Sequence, residues 1–417
     1  MYKLKRVLLL PAAFPLPCGP IYKDFMSDTI AAHTFINTPA GLESFAEECK
    51  DIKWMGFDTE FIGEKRYFTL LCLIQISCEH GYYLLDPIAV KDLTPFLEIL
   101  EDPSVIKITH AGDNDYRLLY QQFGTVPKNI FDTQVAAGFI GHRYPTSFAK
   151  LVEAEVGDRL GKGYAVTDWT QRPMSDKQVK YALNDVIYLR KLYDTITAQL
   201  EKNGRLSWAT EECNLMGEDE YYYRNPNHEF LNSNLARSSR TKERVFLIRL
   251  YEWRRATAEE KNYSKEMILQ SKVIGQLVRG VRGGKEAMLE SRRLPNRTIK
   301  RYGDMFMDMY NKPATEEELA VAKSVQRPSQ DDEEDDMLVE LLYLIMKYRA
   351  NEANISHSLV MPRNAIRRMK QDAAVRQSIL GSGWRGELLG EDFLNWVRNF
   401  DDLTMKIEGG KIALMAD

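Results

Sequence analysis

The sequence predicts a mixed α/β domain followed by two all-helical bundles. Three observations carry that expectation. Short apolar runs alternate with helical periodicity from Gly41 to about Leu200, only helical periodicity remains beyond residue 235, and a run of six acids, Asp331 to Asp336, divides the helical part. Strands that give way to strand–helix units pack as a mixed sheet with helices on its faces, whereas successive amphipathic helices with short polar breaks pack as bundles. A chain of 417 residues is also longer than one hydrophobic core organises.

Residues 1–28 are expected to be a poorly ordered extension. Lys3, Lys5 and Arg6 ahead of Val7 to Leu10 imitate a signal peptide, but Pro11, Pro15 and Pro17 break the apolar stretch, and Met26 offers an alternative start. The α/β domain then spans 29–203. Ile52 to Phe61, Leu70 to Ser77 and Gly81 to Leu85 read as strands with connections short enough for antiparallel neighbours. Val105 to Thr109 and Asn129 to Asp132 read as short strands, each leading into a helix. Ser175 to Leu200 reads as one helix, opened by a capping box of Ser175 and Gln178.

Residues 204–236 lose periodicity and read as a linker or a tie across domains. Arg240 to Ala258, Lys265 to Val281, Lys285 to Glu290 and Pro295 to Tyr310 form the first bundle, 237–315. An acidic spacer is expected at 316–336 and a second, smaller helical domain at 337–417.

Composition narrows the function classes. With 44% apolar and 28% charged residues the chain is a globular protein, and no apolar run approaches the length of a membrane span. Five scattered cysteines without a CxxC pair suggest neither a disulfide framework nor a zinc site, and fit a reducing compartment, the cytoplasm. Six histidines form no HExxH, so any metal ligands are carboxylates and the metal Mg²⁺ or Mn²⁺. The net charge of −4 argues, on average, against a nucleic-acid partner. The charge is segregated, however: residues 237–312 hold 19 Lys+Arg against 9 Asp+Glu, and the remainder 37 against 51.

Three polar elements interrupt the apolar pattern where α/β sheets place their ligands. Asp58 and Glu60, two apart on a strand, share a face and repel unless a cation lies between them; alone they could also be a solvated strand end. His110-Ala111-Gly112-Asp113-Asn114-Asp115 follows a strand and opens a helix, where either Asp could simply cap. Tyr181 and Asp185, four apart on a helix, place a phenol and a carboxylate one turn apart.

Together these elements resemble ribonuclease D of the DEDD 3′-to-5′ exonucleases, in the branch with tyrosine in the third motif. The resemblance rests on Phe57-Asp58-Thr59-Glu60-Phe61, Leu71-Cys72-Leu73-Ile74-Gln75-Ile76, His110-Ala111 with Asp115, Thr167-Asp168-Trp169 with Arg172-Pro173-Met174-Ser175, and Tyr181-Ala182-Leu183-Asn184-Asp185-Val186. Leu250 to Arg254 and Leu294-Pro295 with Lys300 to Gly303 are similar to the helical HRDC domain, and Leu380 to Arg385 resembles a second, divergent HRDC-like domain. A RecQ helicase, which shares the HRDC domain, is excluded because no Walker A motif is present.

The resemblance implies a ribonuclease H-like exonuclease fold followed by two HRDC-like bundles, and a two-metal 3′-to-5′ exoribonuclease that trims tRNA precursors or other stable RNA. It implies Asp58 bridging both ions, Glu60 and Asp185 completing one metal, Asp115 holding the other, and Tyr181 orienting the attacking water. Asp115 rather than Asp113 matches the step from His110. A phenol with a reference pKa near 10 suits positioning better than general-base work. Arg292, Arg293, Arg297, Lys300 and Arg301 are the candidate contacts to RNA phosphates, or else a solvated helical face. A DNA exonuclease and a non-catalytic RNA-binding scaffold remain as alternatives, since contact to the 2′-OH is not legible in sequence.

Overall fold

The computed structural model describes residues 30–161, 167–325, 332–360, 383–391, 394, 403–408 and 411–416. The extension expected at 1–28 lies outside them. The first domain is a six-stranded sheet in the order β1-β4-β3-β2-β5-β6. At its centre β2 (Trp54–Ile62) runs antiparallel to β3 (Leu70–Cys78) and parallel to β5 (Ile106–Thr109). Beyond β3 lies β4 (Gly81–Leu85), antiparallel; β1 (Thr34–Ile36) and β6 (Ile130–Asp132) close the edges as parallel strands. The three-residue β1 is too short for periodicity to announce.

The alternation of β2 and β3 feeds two layers. Phe57, Ile74 and Ile76 pack on α1 (Pro39–Glu48), α2 (Thr94–Glu101) and α3 (Asp113–Phe123), in a core with Phe45, Phe96 and Tyr116. Leu73 faces the opposite way, against Ala182 and Leu183 of α6 (Asp176–Ile187). The expected single helix from Ser175 to Leu200 is two: α6 ends at Ile187 and α7 (Leu189–Lys202) follows after Tyr188. Ser77 Oγ on β3 donates to the Val186 carbonyl at 3.1 Å, an insertion of the kind that breaks a helical ladder. Gly56 permits the close approach there, since a Cβ would stand 2.5 Å from Ser77 Oγ and 3.1 Å from Leu189.

The segment expected to be a linker or a tie across domains, 204–236, is largely helical: α8 (Leu206–Asn214), α9 (Asp219–Tyr222), α10 (His228–Leu231) and α11 (Asn234–Ser238). Buried Ala209 and Cys213 bind α8 to the sheet domain, and Asn214 Oδ1 accepts from the Ile130 amide at 3.1 Å. Helices this short and this tightly anchored to another element lack a readable period of their own.

The first bundle contains α12 (Thr241–Lys261), α13 (Lys265–Ile268), α14 (Ser271–Gly280), α15 (Gly284–Glu290), α16 (Asn296–Asn311) and α17 (Glu316–Ser324) around Phe246, Leu250, Leu277 and Phe306. Helix α17 falls in the stretch expected to be a spacer; Arg249 of α12 holds it through Glu318, at 2.6 Å. Asp332 to Asp336 likewise lie within α18 (Asp332–Glu352). The bundle ties to the sheet domain through the loop after β2: the Ser264 amide donates to the Lys65 carbonyl at 3.0 Å, and the Phe68 amide to Asn262 Oδ1 at 2.9 Å.

Beyond α18 the described residues give α19 (His357–Val360), a helix at Trp384–Leu389, and an antiparallel hairpin of β7 (Leu403–Glu408) and β8 (Lys411–Ala416). The hairpin corrects the all-helical expectation for 337–417; the alternation of Leu403, Met405 and Ile407 is its sequence signal. Leu380 to Ser382 of the expected motif lie outside the described residues. The C-terminal helices share a core with the sheet domain, where Trp384 packs on Phe139 with ring centroids 4.7 Å apart. Arg385 Nη1 donates to Glu212 of α8 at 2.7 Å, which fixes the helices there.

Candidate active site

The register of β2 against β3 sets the geometry of the acids: Asp58 lies opposite Gln75, Thr59 opposite Ile74 and Glu60 opposite Leu73. Strand alternation therefore sends Asp58 and Glu60 to the face covered by α6, and Thr59 to the face of α3. Helix α6 is started by the Ser175–Gln178 capping box and pinned by the Ser77 bond to Val186. Asp185 thus arrives over the strand, and ligand oxygens of Asp58, Glu60 and Asp185 lie within 4.8 Å of one another. A register shift follows between Glu60 and Phe61, so the alternation ends directly after the acids. Tyr181, one turn before Asp185 and hydrogen-bonded to it, is half-buried with its ring 6.0 Å from that of buried Trp169.

The turn after β5 brings the fourth acid. Ala111 adopts φ 58°, a left-handed conformation unusual for alanine. Asp132 stabilises it, accepting from the Ala111 amide at 3.1 Å and the Gly112 amide at 2.8 Å. His110 spans Thr133 Oγ1 at 3.0 Å and the Thr146 carbonyl at 3.1 Å. Asp115 is buried in the first turn of α3 and accepts from the Thr59 hydroxyl. It stands outside the 4.8 Å trio yet is the strongest charged neighbour of Asp58. Asp113 points elsewhere, taking Arg117 Nε at 2.9 Å and the Tyr221 hydroxyl at 2.7 Å.

The electrostatics are those of like charges gathered out of water. Burial, and then Asp115, Asp185 and Glu60, push Asp58 well above the carboxylate range. Burial, with the charges of Asp185 and Asp115, raises Glu60 to about 8. Burial raises Asp115 to about 7 against the opposing bond from Thr59, and Asp185 to about 7 against that from Tyr181. Burial and the adjacent carboxylates push the Tyr181 phenol up, so it stays protonated near neutral pH. Asp185 Oδ2 is buried with no hydrogen-bond partner. An oxygen-only donor set of buried acids fits a hard divalent cation, which would hold all of these acids ionised at neutral pH.

The five candidate phosphate contacts, Arg292, Arg293, Arg297, Lys300 and Arg301, are all exposed on the turn before α16 and its first turns. The rest of the basic excess is less available than the count suggests. Arg244, Arg249 and Arg254 are buried and bonded inward, Arg249 to the carbonyls of Met309, Lys312 and Pro313 as well as to Glu318. Sequence reasoning missed Thr59, Asp132 and Ser77 as supports of the site. Their signal was a polar residue inside or ending an apolar strand.

Known proteins resemble this chain in both its sheet domain and its first helical bundle. The 3′-5′ exonuclease family matches residues 33–201, and the HRDC domain family matches 243–310. Ribonuclease D of Nitrobacter hamburgensis is 27% identical over 379 residues, covering 90% of this chain and 98% of that one. Ribonuclease D of Cronobacter turicensis is 28% identical over 88% of this chain and its own full length. The crystal structure of Escherichia coli RNase D, described as an exoribonuclease involved in structured RNA processing, superposes with a TM-score of 0.76 at 26% identity, covering 89% of this chain and 100% of that one. The fold and the acid cluster define a 3′-to-5′ exonuclease, a hydrolase of phosphodiester bonds, with a helical HRDC domain behind it. Along most of its length the chain is similar to ribonuclease D exoribonucleases.

Proposed function

We propose that this exoribonuclease trims the 3′ ends of stable, structured RNAs in the cytoplasm, tRNA precursors foremost, by hydrolysis assisted by two divalent cations. The observation that supports it most is the convergence of Asp58, Glu60 and Asp185 within 4.8 Å, with Asp115 as the strongest charged neighbour of Asp58. Bound Mg²⁺ or Mn²⁺ would acidify an attacking water and stabilise charge on the leaving 3′ oxygen. Asp58 would serve both cation positions, shared with Glu60 and Asp185 on the α6 face and with Asp115 on the α3 face. The protonated Tyr181 phenol, beside Asp185, would orient the water rather than take its proton.

Arg292, Arg293, Arg297, Lys300 and Arg301 would hold phosphates of the RNA body. Arg297 sits in the first turn of α16, where the helix dipole disfavours a cation, with Lys300 and Arg301 one turn further on. A cost accepted at an exposed position fits a surface that meets anions. The relatives' names and the structured-RNA role of the Escherichia coli protein support RNA over DNA.

The test is digestion of 5′-labelled RNA and DNA carrying the same unpaired 3′ tail, with Mg²⁺, with EDTA and with Asp58→Asn. A 3′-shortening ladder on RNA that vanishes in EDTA and in the variant is expected. Cleavage that persists in EDTA, or equal digestion of DNA, would sink the proposal.

A further inference from the structure

Gln75 occupies an unusual position for an amide. It lies in the middle of β3, at 0% exposure, directly opposite Asp58. Cross-strand partners in an antiparallel pair point to the same face, so Gln75 lies under α6 beside the acid cluster. Its neighbours on that face agree: Leu73 packs on Leu183 of α6, and Ser77 bonds to the Val186 carbonyl next to Asp185.

Both amide atoms of Gln75, Nε2 and Oε1, are buried without a hydrogen-bond partner. So is Asp185 Oδ2 on the helix that covers this face. Buried side-chain polar atoms are nearly always paired, and each one left unpaired costs about 1–3 kcal/mol. Leucine or methionine would fill the same space in the apolar strand Leu71 to Ile76 without that cost. An unpaired donor and an unpaired carboxylate oxygen on facing elements, beside a cluster of acids suited to a cation, suggest a bond that forms when the cation is bound.

We infer that Gln75 is a positioning residue for the cation site: with a divalent cation bound, its Nε2 donates to Asp185 Oδ2 and so fixes the orientation of that carboxylate. The inference rests on the divalent-cation reading above. Outer-shell partners of this kind are worth about 10- to 100-fold in metal affinity.

The experiment is a Mg²⁺ titration of the full-length protein, followed by the rise in melting temperature, on wild type, Gln75→Met and Gln75→Leu. Both replacements keep the volume nearly unchanged and remove the donor. Metal-free melting is expected to be unchanged or higher in both, because an unpaired amide has been removed, while the Mg²⁺ midpoint moves up at least about tenfold. An unchanged midpoint overturns the inference. So does a large drop in metal-free melting, which would show the amide already bonded in the empty fold. If wild type itself shows no Mg²⁺ response, the cation reading fails and Gln75 falls with it; a responsive wild type with unresponsive differences between variants removes Gln75 alone. For the same variants the KM for RNA should stay near that of wild type, because the amide does not reach the substrate.

Discussion

Buried charge is handled in opposite ways in the two halves of the molecule. In the first bundle Arg244, Arg249 and Arg254 are interior and bonded to carbonyls, hydroxyls or carboxylates on neighbouring helices. In the sheet domain Asp58, Glu60, Asp115 and Asp185 are gathered against one another, with their carboxyls pushed toward the neutral form. A satisfied buried charge ties helices together, whereas an assembly of like charges is unstable until something else supplies the opposite sign. The difference separates structural ions from the candidate reaction centre without reference to any relative.

The sharpest way to break that contrast is Asp185→Asn. Activity on RNA should fall on the order of 1,000-fold, as for loss of a key electrostatic group, while the metal-free protein melts higher because one member of the repelling set is gone. Loss of both activity and stability would place Asp185 with the structural ions. A pH series tests the whole set. The native carboxyls hold protons up to about pH 7 or 8, which unfolded ones lose near 4, so the unfolded chain binds fewer protons across that window. Stability without metal should therefore fall as pH rises from about 4 to about 8, by up to about 1.4 kcal/mol per pH unit for each group protonated only in the native state. Denaturant melts with EDTA would show this slope, and saturating Mg²⁺ should flatten it.

On the other side of the comparison, Arg249→Ala strands Glu318 and the carbonyls at the end of α16. A loss of about 3–5 kcal/mol is expected in denaturant unfolding, with kcat on a short oligonucleotide near wild type for the folded fraction. Reversing exposed Arg292, Arg293 and Arg301 to Glu should leave folding intact, weaken RNA binding about tenfold or more at low salt, and flatten the dependence of log K on log salt. Binding unchanged at every salt concentration would return this surface to a solvated helix face. The smallest effect is reserved for Asp113→Asn: its carboxylate is taken up by Arg117 and Tyr221, so activity should stay within about twofold, whereas Asp115→Asn should lose most of it. The reverse outcome would show that the register chosen from His110 is wrong.

Much of the site was legible because its chemistry follows short spacings. The two-residue step from Asp58 to Glu60, the five-residue step from His110 to Asp115 and the four-residue step from Tyr181 to Asp185 each translate directly into a face or a turn. The supporting residues were not legible as such. Thr59, Asp132, Ser77 and Gln75 look like polar interruptions until the register of β2 on β3 and the docking of α6 show what each one faces. The break at Tyr188 illustrates the same limit, since periodicity runs unbroken through it and only the contact from Ser77 and the space at Gly56 explain it.

Periodicity and spacing thus determine the mixed sheet, the helical region behind it and the residues that carry the acids, because these are local properties of consecutive side chains. Tertiary structure decides what local pattern cannot encode. It turns the expected linker into helices packed on the sheet, places α17 within the first bundle, and joins Trp384 and Arg385 to the sheet domain through Phe139 and Glu212. It also divides the arginines into interior ties and an exposed set. A charge count sees only how many there are, whereas burial and partners are properties of the folded arrangement.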